Sequence, residues 1–524
     1  MKLRKHFFNH CSLEIAMIVF FAISFTGTLT AKTLSIGTDQ WVENLNPFSF
    51  KTYPAQLIVE FTTNKLLELK YTGNTGRYYE PDCQSTQNAS IYNAYASGQS
   101  IFSVDLNSDC GLNLNDLIFT IKQINKVPSN IYFSHGLDPL SGGNKILIKR
   151  PYSAAFNKAA LALTFPIIKY ALSDNNKVFD HENKISSISS DDMDYYNSNT
   201  TGQFQLASLS DNRIELKRRN KTNSFNIHFK IHDLTTEFLK ELDSNYHHIG
   251  LSLTGDLLKK FETKPNYLLV ETDDLNSSTF FGFNYNANDS VKRKLIENVN
   301  FRHAFAFAVA STSVVKNRIT SYGETMNHTF DTMRAKEDDI PNKYDVGDTC
   351  RQRVKLFTRT LSNQNPIEFV ILIQYNAIFT HEQFEKIKSK LNKAFNPKIS
   401  FRCVKPATNK LFVDDKKDGN FDIIFDTLFY GKNKLRYTEF LNPKNTKMNY
   451  LKCNVFSEKD IKKYQTDSLA LDTFLWRVNK EVPVYIVGTF YHKNLFSAQI
   501  RKAHVPDNVK PEPFYHIHEW RFNN

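Results

Sequence analysis

The segment FFGFNYNANDSVKRKLIENVNFRHAFAFAVA, Phe280 to Ala310, carries two hydrophobic periods side by side. From Thr279 to Tyr285 the chain is aromatic and β-prone, which predicts a strand. Beyond the polar break, RHAFAFAVASTSVVKNRI sets Phe305, Ala308, Val309 and Val315 at helical spacing. No catalytic motif stands in the segment, so its aromatic strand and alanine-rich helix are expected to serve packing or binding.

The chain on either side alternates in the same way. KTLSIGTDQWVENLNPF begins with period two and ends in an Asn-Pro turn. AQLIVEFTTNKLLEL predicts a helix with Leu57, Phe61 and Leu66 near one face. Tyr71 to Ser100, rich in Gly, Asn, Ser and Tyr, predicts irregular connection with short strands. In NLNDLIFTIKQI, Asn113 is placed to cap a helix and Asp116 to favour its positive start. KILIKRPY is another strand, and the polar run from Lys177 to Thr201 predicts a surface excursion. GQFQLASLSDNRIELKRR reads as a hairpin, NIHFKIH as a strand, TTEFLKELDS as a helix starting near Thr235 or Thr236, and HIGLSL and NYLLVET as strands. Downstream, EFVILIQYN, KISFRCV and FDIIFDTLFY are strands and THEQFEKIKSKLNKAF is an amphipathic helix. Strands alternating with helices, without a fixed repeat, argue an α/β fold.

At the start, Lys2, Arg4 and Lys5 precede the apolar run Ile15 to Phe25 and small residues ending in Thr30-Ala31. That predicts a secretory signal peptide, 1–31, cleaved after Ala31. The run falls short of the ~20 residues that span a bilayer, and no cysteine at the junction offers a lipid anchor. The remaining chain of about 490 residues exceeds the ~250–300 at which one core stops growing, so at least two domains are expected. The formal charge of +12 falls to +10 when those three basic residues and Glu14 are removed. Both signs are mixed along the chain, as in KEDDIPNKYD, with no sustained basic stripe, which argues against a nucleic-acid partner. Five cysteines follow the signal, Cys83, Cys110, Cys350, Cys403 and Cys453, at spacings that match no metal motif. An exported compartment permits disulfides, and Cys83 with Cys110 is a plausible local pair, although sequence leaves the connectivity open.

Signatures of hydrolases and nucleotide enzymes are missing: there is no G-x-S-x-G, no G-x-x-x-x-G-K-[ST] and no G-x-G-x-x-G. His381-Glu382 lacks the second histidine of a zinc face and reads as a solvated helix start. His516 and His518, beside Glu519, would project to one side of a strand, but two ligands do not close a metal site. Asp191, Asp192 and Asp194 lack the glycine and distal glutamate of a calcium loop and read as solvated. No metal or cofactor is expected.

The order of segments is more informative than any one residue. LSIGTDQWVENLNPF with Leu45-Asn46-Pro47, then LNLNDLIFTIKQI with Asn113, Asn115, Asp116, Phe119 and Thr120, then FFGFN followed by Val299, Arg302, Ala304 and Ala308, then SYGE at Ser321 to Glu324, occur in sequence over most of the chain. This order resembles the extracytoplasmic solute-binding proteins of family 5, the oligopeptide, dipeptide and nickel-binding components of ABC importers. The resemblance implies an α/β, two-lobed periplasmic-binding-protein fold with an additional inserted domain in the first lobe. The first lobe would comprise 32–54, 202–270 and 491–524, the insert 55–201 and the second lobe 271–490. It implies a periplasmic, monomeric binding protein rather than an enzyme, which closes on a peptide or peptide-like ligand and presents it to permease subunits at the inner membrane.

The implied lining is Lys51, Thr52 and Tyr53, Phe280, Phe281, Gly282 and Phe283, and Asp426, Leu428, Phe429, Tyr430 and Gly431. Phe281 and Phe283 read more readily as alternating core residues than as ligand contacts. The chain departs from the family where Ala310 stands for a usual aspartate. Leu428 and Gly431 fall near the Trp and Asp with which peptide binders hold a free amine, leaving Asp426 as the replacement. A nickel complex, haem, a glycan or a blocked peptide stay open as ligands, as do a sensory module that serves no permease and an unrecognised exported enzyme.

Overall fold

Phe280 and Phe281 are consecutive on a strand, and both are fully buried. Neighbouring strand residues face opposite sides, so this sheet is covered on both faces, as α/β sheets are. The protein is seen here as a computed structural model that describes most of 33–315 and 366–497, with short pieces at 352–359, 500–501 and 521–522. Outside the described residues lie 1–32, 316–351 and 502–520, and within the body chiefly 82–90, 94–99, 127–136, 140–144, 149–164, 170–187, 220–224, 272–276, 430–435 and 467–472. The expected signal peptide, SYGE and the His516/His518 pair therefore fall outside them.

Twelve strands build the two large sheets. We label them β1 (Thr33–Thr38), β2 (Phe204–Ser210), β3 (Arg213–Arg218), β4 (Asn226–Ile231), β5 (Ile249–Leu253), β6 (Tyr267–Glu271), β7 (Ser277–Phe283), β8 (Ile367–Ile373), β9 (Ile399–Val404), β10 (Ile423–Phe429), β11 (Val484–Thr489) and β12 (Lys493–Ser497). The first sheet runs β2-β3-β4-β1-β5-β12-β6, with β1 parallel to both β4 and β5. The second runs β9-β8-β10-β7-β11, with β8 parallel to β9 and β10. The chain passes between the sheets at β6 to β7 and returns at β11 to β12. In each sheet the two crossing strands are neighbours, β6 on β12 and β7 on β11, so both connections lie on one side of the molecule.

Four helices bear on the site and its support: α1 (Tyr53–Thr62), α2 (Thr235–Asp243), α3 (Val299–Ala310) and α4 (His381–Phe395). α3 is the alanine-rich helix of the opening segment and packs on the second sheet. Its Phe305 ring lies 5.4 Å from both Phe281 and Phe283, and its Phe301 stacks on Phe369 of β8 at 5.1 Å. Buried Arg302 fastens the helix by donating to the carbonyls of Ile296, Glu297, Glu481 and Val482. α4 buries Phe384, Ile387 and Leu391 on its amphipathic face and begins in a reciprocal cap between Thr380 and Gln383. His381 and Glu382 at its start are exposed, as a solvated helix start requires.

Between α1 and β2 the chain forms smaller sheets, among them a four-stranded one with strands at 91–93, 100–103, 145–148 and 137–139. Phe102 and Ile146 of that sheet, with Ile121 of the helix Leu114–Lys126, share one continuous core with the first large sheet. The expected cap at Asn113 is present: its Oδ1 accepts from the amides of Asn115 and Asp116.

Two expectations are corrected. The helix read over AQLIVEFTTNKLLEL stops at Thr62, where the hydroxyls of Thr62 and Thr63 bond back to the carbonyl of Val59 and the chain turns extended into strands at 64–65 and 67–72. The polar run ending at Thr201 is not all excursion, because Ser190–Asn199 is a helix opened by a capping box between Ser189 and Asp192. Its Tyr196 is fully buried, with its hydroxyl 2.8 Å from Thr62 Oγ1. Cys110 is disulfide-bonded, while Cys83, its expected partner, lies outside the described residues; Cys403 and Cys453 carry free thiols.

Candidate functional site

Parallel strands all end on one edge of a sheet, and in open α/β sheets ligands bind outside that edge. In the first sheet β1, β4 and β5 end at Thr38, Ile231 and Leu253; in the second β8, β9 and β10 end at Ile373, Val404 and Phe429. The residues immediately past those ends meet one another. Thr235, just beyond β4, donates its amide to the hydroxyl of Tyr375, just beyond β8. Asp39, next after β1, is approached by Asn376 and Lys405, which follow β8 and β9. The carboxyl edges of the two sheets therefore face each other, and the candidate site lies between them.

Asp39 is the most unusual group there. It is 1% exposed, and neither carboxylate oxygen has a well-formed protein hydrogen bond among the described residues. Burial raises its pKa from 3.8 to about 7, against the opposing influence of the Asn376 side chain, its own backbone and the Lys405 charge. The rest of the β1–α1 connection behaves alike. Asn44 Nδ2 and Thr52 Oγ1 are also buried without a partner among the described residues. Asn44 and Asn46 use their side-chain oxygens to turn the loop, accepting from the amides of Asn46 and Phe48. Buried polar atoms are nearly always bonded, so several orphans in one loop at the carboxyl edge mark a surface built to meet something else.

Of the expected lining, Thr52 caps the start of α1 with its backbone and leaves its hydroxyl unused. Tyr53 opens α1, 3% exposed, with its hydroxyl 3.5 Å from Asn494 Nδ2 of β12. These two share the loop with Asp39. Phe280, Phe281 and Phe283 lie in the core of the second sheet, against Phe440, Phe425, Phe301 and Phe305. Gly282 sits beneath Leu451, whose methyls would lie 2.9 Å from an added Cβ. As placed, these four pack the sheet. Leu428 is half-buried on β10 and packs against the same core. Phe429 ends that strand, and Lys51, Tyr430 and Gly431 lie outside the described residues.

Asp426 is buried and already engaged. Its Oδ2 accepts from Lys416 Nζ at 2.8 Å and from the Tyr450 hydroxyl at 2.6 Å, and its Oδ1 from the Thr427 amide at 2.8 Å. The positive charge that a ligand amine would bring to this carboxylate is thus already supplied by Lys416. Sequence reasoning missed Asp39, Asn376 and Lys405; the only local signal was an aspartate directly after the first predicted strand, which is buried from Leu34 to Thr38.

The comparisons agree with this architecture. No protein-family model matches the chain, and no curated protein matches it in sequence. Solved structures do match in shape. NikZ from Campylobacter jejuni, in complex with Ni(L-His), superposes with a TM-score of 0.66 at 14% identity over 93% of this chain and 99% of its own. The oligopeptide-binding protein AppA from Bacillus subtilis, in complex with a nonapeptide, gives 0.62 at 14% identity over 94% and 100%. The murein tripeptide binding protein MppA of Escherichia coli gives 0.59 at 12% identity over 90% of this chain. The fold is accordingly that of the two-lobed periplasmic binding proteins, and the similar proteins are binding proteins rather than enzymes. Among the described residues no helix is long and apolar enough to cross a membrane.

Proposed function

We propose that this chain is the substrate-binding component of an ABC importer, which captures a peptide or peptide-like solute between two lobes and presents it to a membrane permease. In this reading 1–31 is a cleaved export signal, the protein works as a periplasmic monomer, and it makes no bond in its ligand. The lobes are 32–54 with 202–270 and 491–524, and 271–490, with 55–201 an inserted domain.

The observation that carries the reading is the loop after β1, where buried Asp39 is met by the Asn376 side chain and the Lys405 charge at the facing carboxyl edges, and where Asn44 Nδ2 and Thr52 Oγ1 have no partner among the described residues. A backbone or ammonium N–H of a ligand can donate to Asp39, a ligand carbonyl can accept from Asn44 or Thr52, and Tyr53 stands beside them in the same loop. Because Asp426 is neutralised internally, a free amine need not be held from the second lobe, and blocked or modified peptides fit as well as free ones. Binding energy gained only when both lobes touch the ligand shifts an open–closed equilibrium, which is how such a protein signals occupancy.

A metal complex is the second reading, favoured by the similarity to NikZ solved with Ni(L-His). Denaturing the purified protein and analysing the released small molecules by mass spectrometry separates the two. A peptide or peptide-like mass, one per chain, supports the first reading and a metal chelate the second. Turnover of a bound peptide or ester would overturn both.

A further inference from the structure

Away from the loop between the lobes, three side chains of the first lobe converge beneath α2. His232 follows β4, Glu241 lies on α2, and His247 precedes β5. His232 Nε2 and His247 Nε2 are 2.9 Å apart, and Glu241 Oε2 is 3.0 Å from the latter and 3.5 Å from the former. A circle through three atoms so spaced has a radius of about 1.8 Å. A cation at the ~2.0–2.2 Å of a zinc bond to imidazole or carboxylate would therefore sit just off their plane.

Hydrogen bonding alone does not account for the cluster. One proton shared among the three atoms satisfies one of the three contacts and leaves lone pairs opposed across the others; Glu241 Oε2 has no hydrogen-bond partner of good geometry among the described residues. A cation satisfies all three donors at once. The supporting groups also suit ligation. Ser35 Oγ lies 2.9 Å from His247 Nδ1, so it can hold that nitrogen's proton and leave Nε2 as the bare donor. Lys230 pairs with Glu241 Oε1, which orients the carboxylate and turns Oε2 toward the histidines. Phe238 stacks on His232, and Gly37 leaves room for the His247 ring, since a Cβ there would lie 2.6 Å from its Cδ2. Both histidines are buried, and the Glu241 side chain that completes the set is 19% exposed.

We propose that His232, Glu241 and His247 form a binding site for one divalent first-row transition cation of the zinc type, within the first lobe and separate from the captured solute. Two imidazoles and one carboxylate are the donor set that zinc and its neighbours prefer over calcium or magnesium. The Lys230 ammonium opposes the incoming charge and weakens the site relative to one without it. The cation would staple the segments flanking β1's two neighbours, β4 and β5, to α2, whose first residue contacts Tyr375, just beyond β8 of the second sheet.

The test uses the full chain freed of metal by chelation and titrated with Zn²⁺ by calorimetry, with Co²⁺ as a spectroscopic probe. Expected are one Zn²⁺ per chain, a rise of several degrees in thermal midpoint, and Co²⁺ absorption typical of a low-coordinate nitrogen and oxygen site. E241Q, at a partly exposed position that should fold normally, should weaken Zn²⁺ at least tenfold, whereas the double variant H516Q/H518Q should bind as the parent does. Failure of the parent chain to bind overturns the proposal. So does Zn²⁺ binding that E241Q leaves unchanged, or that the terminal double variant abolishes, which would mark adventitious uptake.

Discussion

Lys416 Nζ lies 2.8 Å from Asp426 Oδ2, and the Asp426 side chain is 3% exposed. The pair resolves what a buried carboxylate at this point of β10 is for. Lys416 and Tyr450 balance it from within the second lobe, and no ligand is required to do so. Removing Lys416 leaves the carboxylate uncompensated, a loss that costs about 3 kcal/mol or more for buried pairs. K416M should therefore lower the urea midpoint markedly, and K416M with D426N should recover most of it. D426N alone should leave the preference between free and N-blocked peptides unchanged, measured by calorimetry; selective loss of free-amine peptides would restore Asp426 as an amine anchor.

Asp39 carries a pH signature of the opposite sign to a paired carboxylate. Burial raises its pKa from 3.8 to about 7, so the folded chain holds a proton that the unfolded chain has released between those values. Stability then falls as pH rises from about 4 through about 7 and levels off above. The full effect is on the order of 4 kcal/mol if the site stays closed, and less where opening lets water in. D39N should abolish this slope and be the more stable protein at pH 8, with little difference at pH 4. Parallel stability curves for the two proteins between pH 4 and 8 would contradict the burial of that carboxylate.

Arg302 binds four backbone carbonyls, two at the turn before α3 and two just before β11. R302M strands those buried acceptors as well as losing the bonds, and should cost about 3 kcal/mol in chemical denaturation. R302K, with one ammonium in place of a planar fork, should recover less than half. Ligand affinity of the folded fraction should be unchanged, since the residue acts inside the second lobe.

The Thr235 to Tyr375 contact joins the two sheets at their carboxyl edges. Y375F removes one hydrogen bond made only when the edges meet. At a net ~0.5–1.5 kcal/mol, the closed population, and with it ligand affinity, should fall about two- to tenfold with the thermal midpoint of the ligand-free protein nearly unmoved. Calorimetry and a thermal melt on the same sample read both.

Much of this fold was legible because the signals were local. Phe280 to Phe283 declare a strand, Asn113 and Asp116 a capped helix, and Phe384, Ile387 and Leu391 the buried stripe of an amphipathic one. The helix at Ser190–Asn199 had its signal too, in Ser189 and Asp192, but a run of acidic and polar residues outweighed the cap. The site was less legible, since its chemistry is assembled from distant positions. Nothing near Asp39 announces Asn376 and Lys405, nor does Asp426 announce Lys416 and Tyr450, and the spacing of His232, Glu241 and His247 matches no short motif. Periodicity reports which face is buried, not which buried charges meet once two sheets are brought edge to edge.

Small-angle scattering of the purified chain, first stripped of bound solute and then saturated with a peptide pool whose binding is verified by mass spectrometry, tests the central claim most directly. Two lobes closing on an unaltered guest predict a smaller radius of gyration and the loss of a two-body feature from the distance distribution on loading. An identical profile with and without bound peptide would contradict the account.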